Sequence, residues 1–274
     1  MKAHVLRKRI VQYTVSFVLL FFALFPLMWM LSTSFKNELD AYSYPPKVLP
    51  PPTIRNYIDA FKESGFTRFY LNSIVVVALS VTISMAVGVP AAYAFTRYEF
   101  KGKKGLSLWI LSIRIAPPIA FLIPFFVMYR RLNLIDTIMG LVIVYVAVNI
   151  TLVIWLMKGF FEDVPRDTEQ SALVEGCTPL QVFTRVSLPI CKTGIAATAV
   201  LVFIFSWNEL MFAIVLTNNL AKTAPAGIYN FIGYNEVRWG ALSAASNLVV
   251  LPVLVFLLLT KRHLVRGLSF GAVK

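Results

Sequence analysis

EQSALVEGCTPLQVFTRVSLP, residues 169–189, preceded by VPRD at 164–167, is the longest polar-rich interruption in the hydrophobic second half of the chain. Its local chemistry predicts two short helices with a corner between them. Pro165 stands where a helix begins without losing a needed N–H, and Asp167 and Glu169 bring negative charge into its first turn. Gly176 stops that helix, as glycine does where φ turns positive. Thr178-Pro179-Leu180-Gln181 starts a second one, with Thr178 as N-cap, Pro179 as first helical residue and Gln181 as the far half of a capping box. Leu180, Phe183 and Thr184 recur at i, i+3, i+4, on one face opposite Arg185. Such a helix–corner–helix is either a handle for a partner or a loop that packs only on its own bundle.

The surroundings of this stretch are those of a membrane protein. Of the 274 residues, 58% are hydrophobic and only 14% charged, far from the balance of a soluble domain. Of the acidic residues, Glu209 alone falls inside a hydrophobic run. The formal charge of +13 does not point to nucleic acid, because the basic residues flank hydrophobic runs and form no face interleaved with aromatics. Cys177 and Cys191 match neither a zinc nor a CxxC spacing and read as reduced, small packing residues.

Apolar runs at about 10–34, 70–96, 106–128, 138–157, 193–217 and 240–260 predict six transmembrane helices in an all-α fold, with lipid as their surroundings. The first is too long for a signal peptide and lacks a small-residue cleavage site, so it reads as a retained anchor. Prolines at 45, 46, 50, 51 and 52 favour extended backbone, and residues 54–64 have amphipathic helical spacing. The organisation expected is a tail at 1–9, a six-span domain at 10–262 containing the loop 158–192, and a second tail at 263–274. Sixteen Lys and Arg lie in the segments that include both termini and the loop, against nine in the alternate segments. The positive-inside rule then places both termini and the loop in the cytoplasm.

Two ionisable residues lie within spans, Arg114 and Glu209. Such groups usually face a protein interior or an aqueous cavity. Ala116-Pro117-Pro118, just after Arg114, predicts a broken helix with freed carbonyls, which suits either a translocation path or a structural kink whose arginine pairs with a carbonyl or with Glu209. Trp207-Asn208-Glu209, read as consecutive helix positions, point about 100° apart and do not all line one cavity. Asn208 has the donors and acceptor for sugar hydroxyls, and Trp207 the plane to stack on a sugar or to pack. Asn149 and Asn72 are weaker path candidates, since amides in spans often join helices. No GxxxxGK[ST] occurs, so there is no Walker-type phosphate cradle, and no residue set is spaced for catalysis or a metal.

The stretch resembles the EAA loop of ABC importer membrane subunits, whose pattern is E-A-A, three residues, Gly, nine residues, I-x-L-P. Here stand Gln170-Ser171-Ala172, Gly176 and Val186-Ser187-Leu188-Pro189 with every spacing kept. Gln170 replaces the carboxylate, leaving Glu169 or Glu175 to supply the charge. Together with WNEL at 207–210 and the terminal GLSFGAVK, the wording is similar to the carbohydrate-uptake permeases of the maltose transport permease family. That resemblance implies a non-catalytic permease with Glu169, Gln170, Ser171, Ala172, Glu175, Gly176, Pro179, Leu180, Phe183, Leu188 and Pro189 in the contact with an ATPase. It implies a second permease, two ATPase subunits that use ATP and Mg, an extracytoplasmic sugar-binding protein, no cofactor on this chain, and a bacterial or archaeal cytoplasmic membrane. The substrate-path candidates are Arg114, Asn149, Trp207, Asn208 and Glu209. The alternatives are an ABC importer for another solute and an ion-coupled secondary transporter.

Overall fold

The computed structural model describes residues 2–48, 50–63, 65–233 and 236–269, with side chains from Lys8 to Thr260 apart from Glu63. Met1 of the expected first tail and residues 270–274 of the second lie outside the described residues. Helix α1 (Lys2–Ser34) runs without interruption through the basic residues, so 2–9 are helical. After it come α2 (Glu38–Ala41), α3 (Arg55–Glu63) and α4 (Phe66–Arg97). Next are α5 (Lys103–Ile115), α6 (Ile119–Arg131) and α7 (Ile138–Glu162). The remainder holds α8 (Arg166–Val174), α9 (Pro179–Val182), α10 (Leu188–Ile190), α11 (Lys192–Trp207), α12 (Met211–Leu216), α13 (Ala224–Gly227) and α14 (Trp239–Ser269). No strand is present among the described residues.

Among the described residues, four helices are long and apolar enough to cross a membrane unbroken: α1 from Lys8, α4, α7, and α14 to Thr260. Counting each of two bent helix pairs as one span gives six. The expected third span is two helices, α5 and α6, that meet at 100°. The cause is local: Ala116 precedes a proline and takes the extended backbone such a residue is confined to (φ −64°, ψ 133°). The expected fifth span, 193–217, is also discontinuous. Its helix α11 ends at Trp207, Asn208 is the C-cap, and α12 begins only at Met211. The reading of Trp207, Asn208 and Glu209 as consecutive helix positions is therefore wrong. Side chains add bonds at the break: Asn208 Nδ2 joins the Asn208 N–H on the Ile204 carbonyl, and Glu209 accepts from the otherwise free N–H groups of Phe212 and Ala213.

The chain divides into two units. One comprises the chain up to Thr67 with Ile228–Val250. In it Asn56 of α3 donates to the carbonyls of Ser34 and Lys36, Tyr57 shares a hydrogen bond with Ser34, and Arg238 pairs with Asp59 at 3.6 Å. The expected amphipathic helix at 54–64 is thus α3, with its polar residues spent on closing this unit.

The other unit comprises Arg68–Gly227 and the chain from Leu251. Along α4 the residues Val76, Ser80, Ser84, Gly88, Ala92 and Thr96 recur every four positions and all are buried. Small side chains at that period let helices approach closely in a membrane, where little hydrophobic driving force exists between them. Gly88 carries the closest approach: a Cβ there would stand 2.6 Å from a Val153 methyl of α7. Val89, Ala92, Tyr93, Leu152, Val153, Met157, Phe161 and Cys191 continue this core down to the loop.

Candidate functional site

The loop folds as its caps dictate. Pro165 is the N-cap of α8 and not its first residue, with ψ at 127° before the helix starts. Gly176 sits at φ +93°, where its N–H reaches the Leu173 carbonyl and that of Cys177 reaches the Ala172 carbonyl. Those bonds satisfy carbonyls that the end of a helix leaves free. No atom lies within 4 Å of a Cβ built there, so glycine is required by the backbone angle alone. The capping box at α9 is complete: Gln181 N–H donates to Thr178 Oγ1 at 3.3 Å, and Thr178 N–H to Gln181 Oε1 at 2.8 Å.

A π-turn, Phe183–Ser187, follows α9. Its wider turn breaks the expected face of Leu180, Phe183 and Thr184. Phe183 goes inward, its ring centroid 4.8 Å from Tyr93 and 6.3 Å from Phe161. Leu180 and Thr184 stay exposed. The same turn buries Ser187 and aims its hydroxyl at Glu169 Oε1, 2.6 Å away.

Glu169 is the pin of the loop. Arg97, at the end of α4, donates through Nε to Glu169 Oε2 at 2.5 Å and through its terminal nitrogen to the carbonyls of Phe161 and Val164. Glu169 is therefore spent inside the chain, and of the two acids weighed for the missing carboxylate only Glu175 is exposed. Gln170, Ser171, Gly176, Pro179, Leu180 and Pro189 are also exposed, while Ala172 and Leu188 are half-buried. The tip is apolar. Val174 is 88% and Leu180 69% exposed, with Leu173 beside them. Sequence reasoning missed Val174 and Leu173, although two aliphatics just ahead of the stop glycine were a usable signal. It also missed Arg97 and Ser187, which nothing in the linear pattern marks.

The path candidates separate into two groups. Trp207 is 2% exposed, stacked on Phe203 and edge-on to Tyr70. Asn149 is buried and donates to the Tyr145 carbonyl and to Ser206 Oγ, joining α7 to α11. Glu209 caps the start of α12 and its carbonyl accepts from the Tyr145 hydroxyl. Asn72 donates to the carbonyls of Leu220 and Lys222. These four hold the bundle together. Arg114 and Asn208 are exposed, and the Arg114 guanidinium lies over the Phe205 ring, 4.8 Å from its centroid. Arg114 forms no ion pair among the described residues, with Glu209 or otherwise. Arg114 stands eleven residues into α5 and Phe205 thirteen into α11, roughly 17 and 20 Å along apolar helices from the lysines that open them. An arginine there costs about 2.5–3.5 kcal/mol against lipid.

Residues 84–269 match the family of binding-protein-dependent transport system inner membrane components. The chain belongs to that family. It is 41% identical over 257 residues to a probable ABC transporter permease protein of Sinorhizobium fredii, covering 94% of this chain and 92% of that protein. It is 36% identical to the trehalose transport system permease protein SugB of Mycobacterium tuberculosis, covering 92% and 93%. Its fold superposes with a TM-score of 0.77, at 23% identity, on a chain of a bacterial ABC transporter involved in the import of the acidic polysaccharide alginate, covering 92% of this chain and 95% of that one.

As an inner membrane component of this family the chain is a multi-pass ABC permease. Its loop can bind through an exposed apolar tip, and the buried Arg97–Glu169 pair ties that tip to the ends of α4 and α7.

Proposed function

We propose that this inner membrane component is the permease subunit of an ATP-driven importer that carries a carbohydrate into the cytoplasm. The reading is carried by the apolar tip at Val174 and Leu180, held on a corner that Gly176 turns and Glu169 anchors. An apolar knob on a rigid support outside the spans fits the groove of a partner protein. Carbohydrate as the substrate class is supported by the named role of the trehalose system relative. In this reading the chain is non-catalytic, and two ATPase subunits supply the energy from ATP and Mg. A second permease completes the path, and an extracytoplasmic binding protein delivers the sugar. Both termini and the loop lie in the cytoplasm, by the distribution of Lys and Arg.

ATP-driven closure moves the loop, and Arg97 passes that displacement to α4 and α7 while α11 follows directly from α10. The spans then rock as levers between inward-open and outward-open states. An ion-coupled transporter would need a free titratable group in a span, and Glu209 is occupied as a cap.

The test is co-purification from detergent after expression with neighbouring genes, comparing wild type with Gly176→Pro. Proline holds φ near −65° and cannot make the corner. The expected result is an ATPase and a second permease bound to wild type, with the ATPase lost from the variant and membrane insertion unchanged. Normal transport by a well-expressed Gly176→Pro variant rejects the reading.

A further inference from the structure

We infer that Arg114, Phe205 and Asn208 form a substrate-contacting face of the translocation path, suited to a neutral or anionic hydroxyl-rich solute and unfavourable to cations. The inference rests on the transport reading above and assigns the part of that path contributed by this subunit.

Three observations carry it. Arg114 is exposed within an apolar helix, has no carboxylate partner among the described residues, and lays its guanidinium over the ring of Phe205. Among the described residues its guanidinium donors are thus unspent. Asn208 lies one turn beyond Phe205, spends Nδ2 on the Ile204 carbonyl and leaves Oδ1 as an exposed acceptor. The two helices break at this level, α5 at Ala116 and α11 at Asn208, which opens backbone carbonyls to the same region. Unsatisfied donors and acceptors are not tolerated against hydrocarbon, and irregular backbone at membrane depth belongs where it lines an aqueous cavity.

The chemistry fits a saccharide. A planar donor array and an amide oxygen read hydroxyl or carboxylate oxygens, and an exposed aromatic ring packs against the C–H face of a pyranose. The charge is not balanced from within: Glu209 is turned away to cap α12, so the face carries one positive charge. An acidic residue of the second permease is the rival occupant, and it would seal the face from solvent.

The experiment uses the assembled transporter with Cys177→Ser and Cys191→Ser as background, and Asn208→Cys or Phe205→Cys as reporters. Each is labelled with an anionic sulfonatoethyl and a cationic trimethylammonioethyl methanethiosulfonate, with rates normalised to a free thiol. Both reporters should react, whereas Leu108→Cys on the exposed apolar side of α5 should not. The anionic reagent should be favoured several-fold, Arg114→Lys should keep that preference, and Arg114→Gln should abolish it. No reaction at either reporter, or a preference indifferent to Arg114→Gln, overturns the proposal. ATPase retention on the same preparation reports on the importer reading separately, since it depends on the loop and not on this face.

Discussion

Arg97 and Glu169 stand 72 residues apart in sequence and meet at 2.5 Å, with only 9% and 8% of their side chains exposed. Arg97 also holds the carbonyl of Phe161 at the end of α7 and that of Val164 just after it, and Glu169 also takes the Ser187 hydroxyl. One buried pair therefore joins the foot of α4, the end of α7 and both arms of the loop. Removing a single partner from a buried pair leaves an uncompensated charge and costs about 3–5 kcal/mol.

Arg97→Ala should accordingly lower the thermal stability of the purified complex and loosen ATPase retention. Glu169→Gln should also destabilise, because its one amide oxygen cannot accept from both Arg97 and Ser187 and the buried guanidinium loses its counter-charge. In the double variant Arg97→Ala/Glu169→Ala the loss should be clearly smaller than the sum of the single losses. Additive losses in that cycle would mean that the pair is not coupled.

The tip makes the opposite prediction. Val174→Asp and Leu180→Asp alter side chains that touch little of their own chain, so thermal stability should hold within about 0.5 kcal/mol. Affinity for the ATPase should fall about thirtyfold or more, ~2 kcal/mol, if these are centres of the contact. Surface binding of purified ATPase to the permease pair measures both variants.

Gly176 isolates the backbone from the side chain. Nothing lies within 4 Å of an added Cβ, so Gly176→Ala should cost only the left-handed strain, about 1–2 kcal/mol. Gly176→Asn should be tolerated better than Gly176→Ala, and Gly176→Val worst, when ATPase retention is ranked. A ranking by side-chain volume instead would place a partner surface against this position.

At the far end of α6 and α7, the Asp136 carboxylate accepts four backbone N–H groups, from Asn218, Asn219, Leu220 and Ala221. Partial burial pushes its pKa up, but the four donors outweigh burial and leave it below the ordinary value of 3.8. A depressed carboxyl stabilises the fold above its unfolded value, and the contribution is lost as pH falls through the folded value. Stability should thus be flat in this respect from pH 5 to 8 and drop in acid below 3.8. Asp136→Asn should cost about 1–2 kcal/mol at pH 7 and lack that acid step in a thermal-melt series.

Much of the loop was legible in the linear chain because its signals are local. Proline at 165 and 179, glycine at 176 and the Thr178–Gln181 box each act within about four residues, so spacing alone foretold the corner. The hydrophobic runs likewise predicted the spans, since span length depends only on membrane thickness and residue polarity. What side chains do across the fold was not legible. Glu169, read as a partner contact, is an internal pin because Arg97 reaches it from another helix. Trp207, Asn149 and Glu209, read as path residues, are packing and capping groups, and the helix to which Trp207 and Glu209 were assigned stops at Trp207. Phe205 gained its role only when Arg114 was laid over its ring. The sequence by itself determined that the chain is helical, which runs are apolar enough to cross a membrane and where the loop must turn, but not the break after Trp207. The tertiary structure alone decided which polar groups are spent within the protein and which remain exposed, because a hydrogen bond or ion pair depends on the distance between helices and no local pattern encodes that distance.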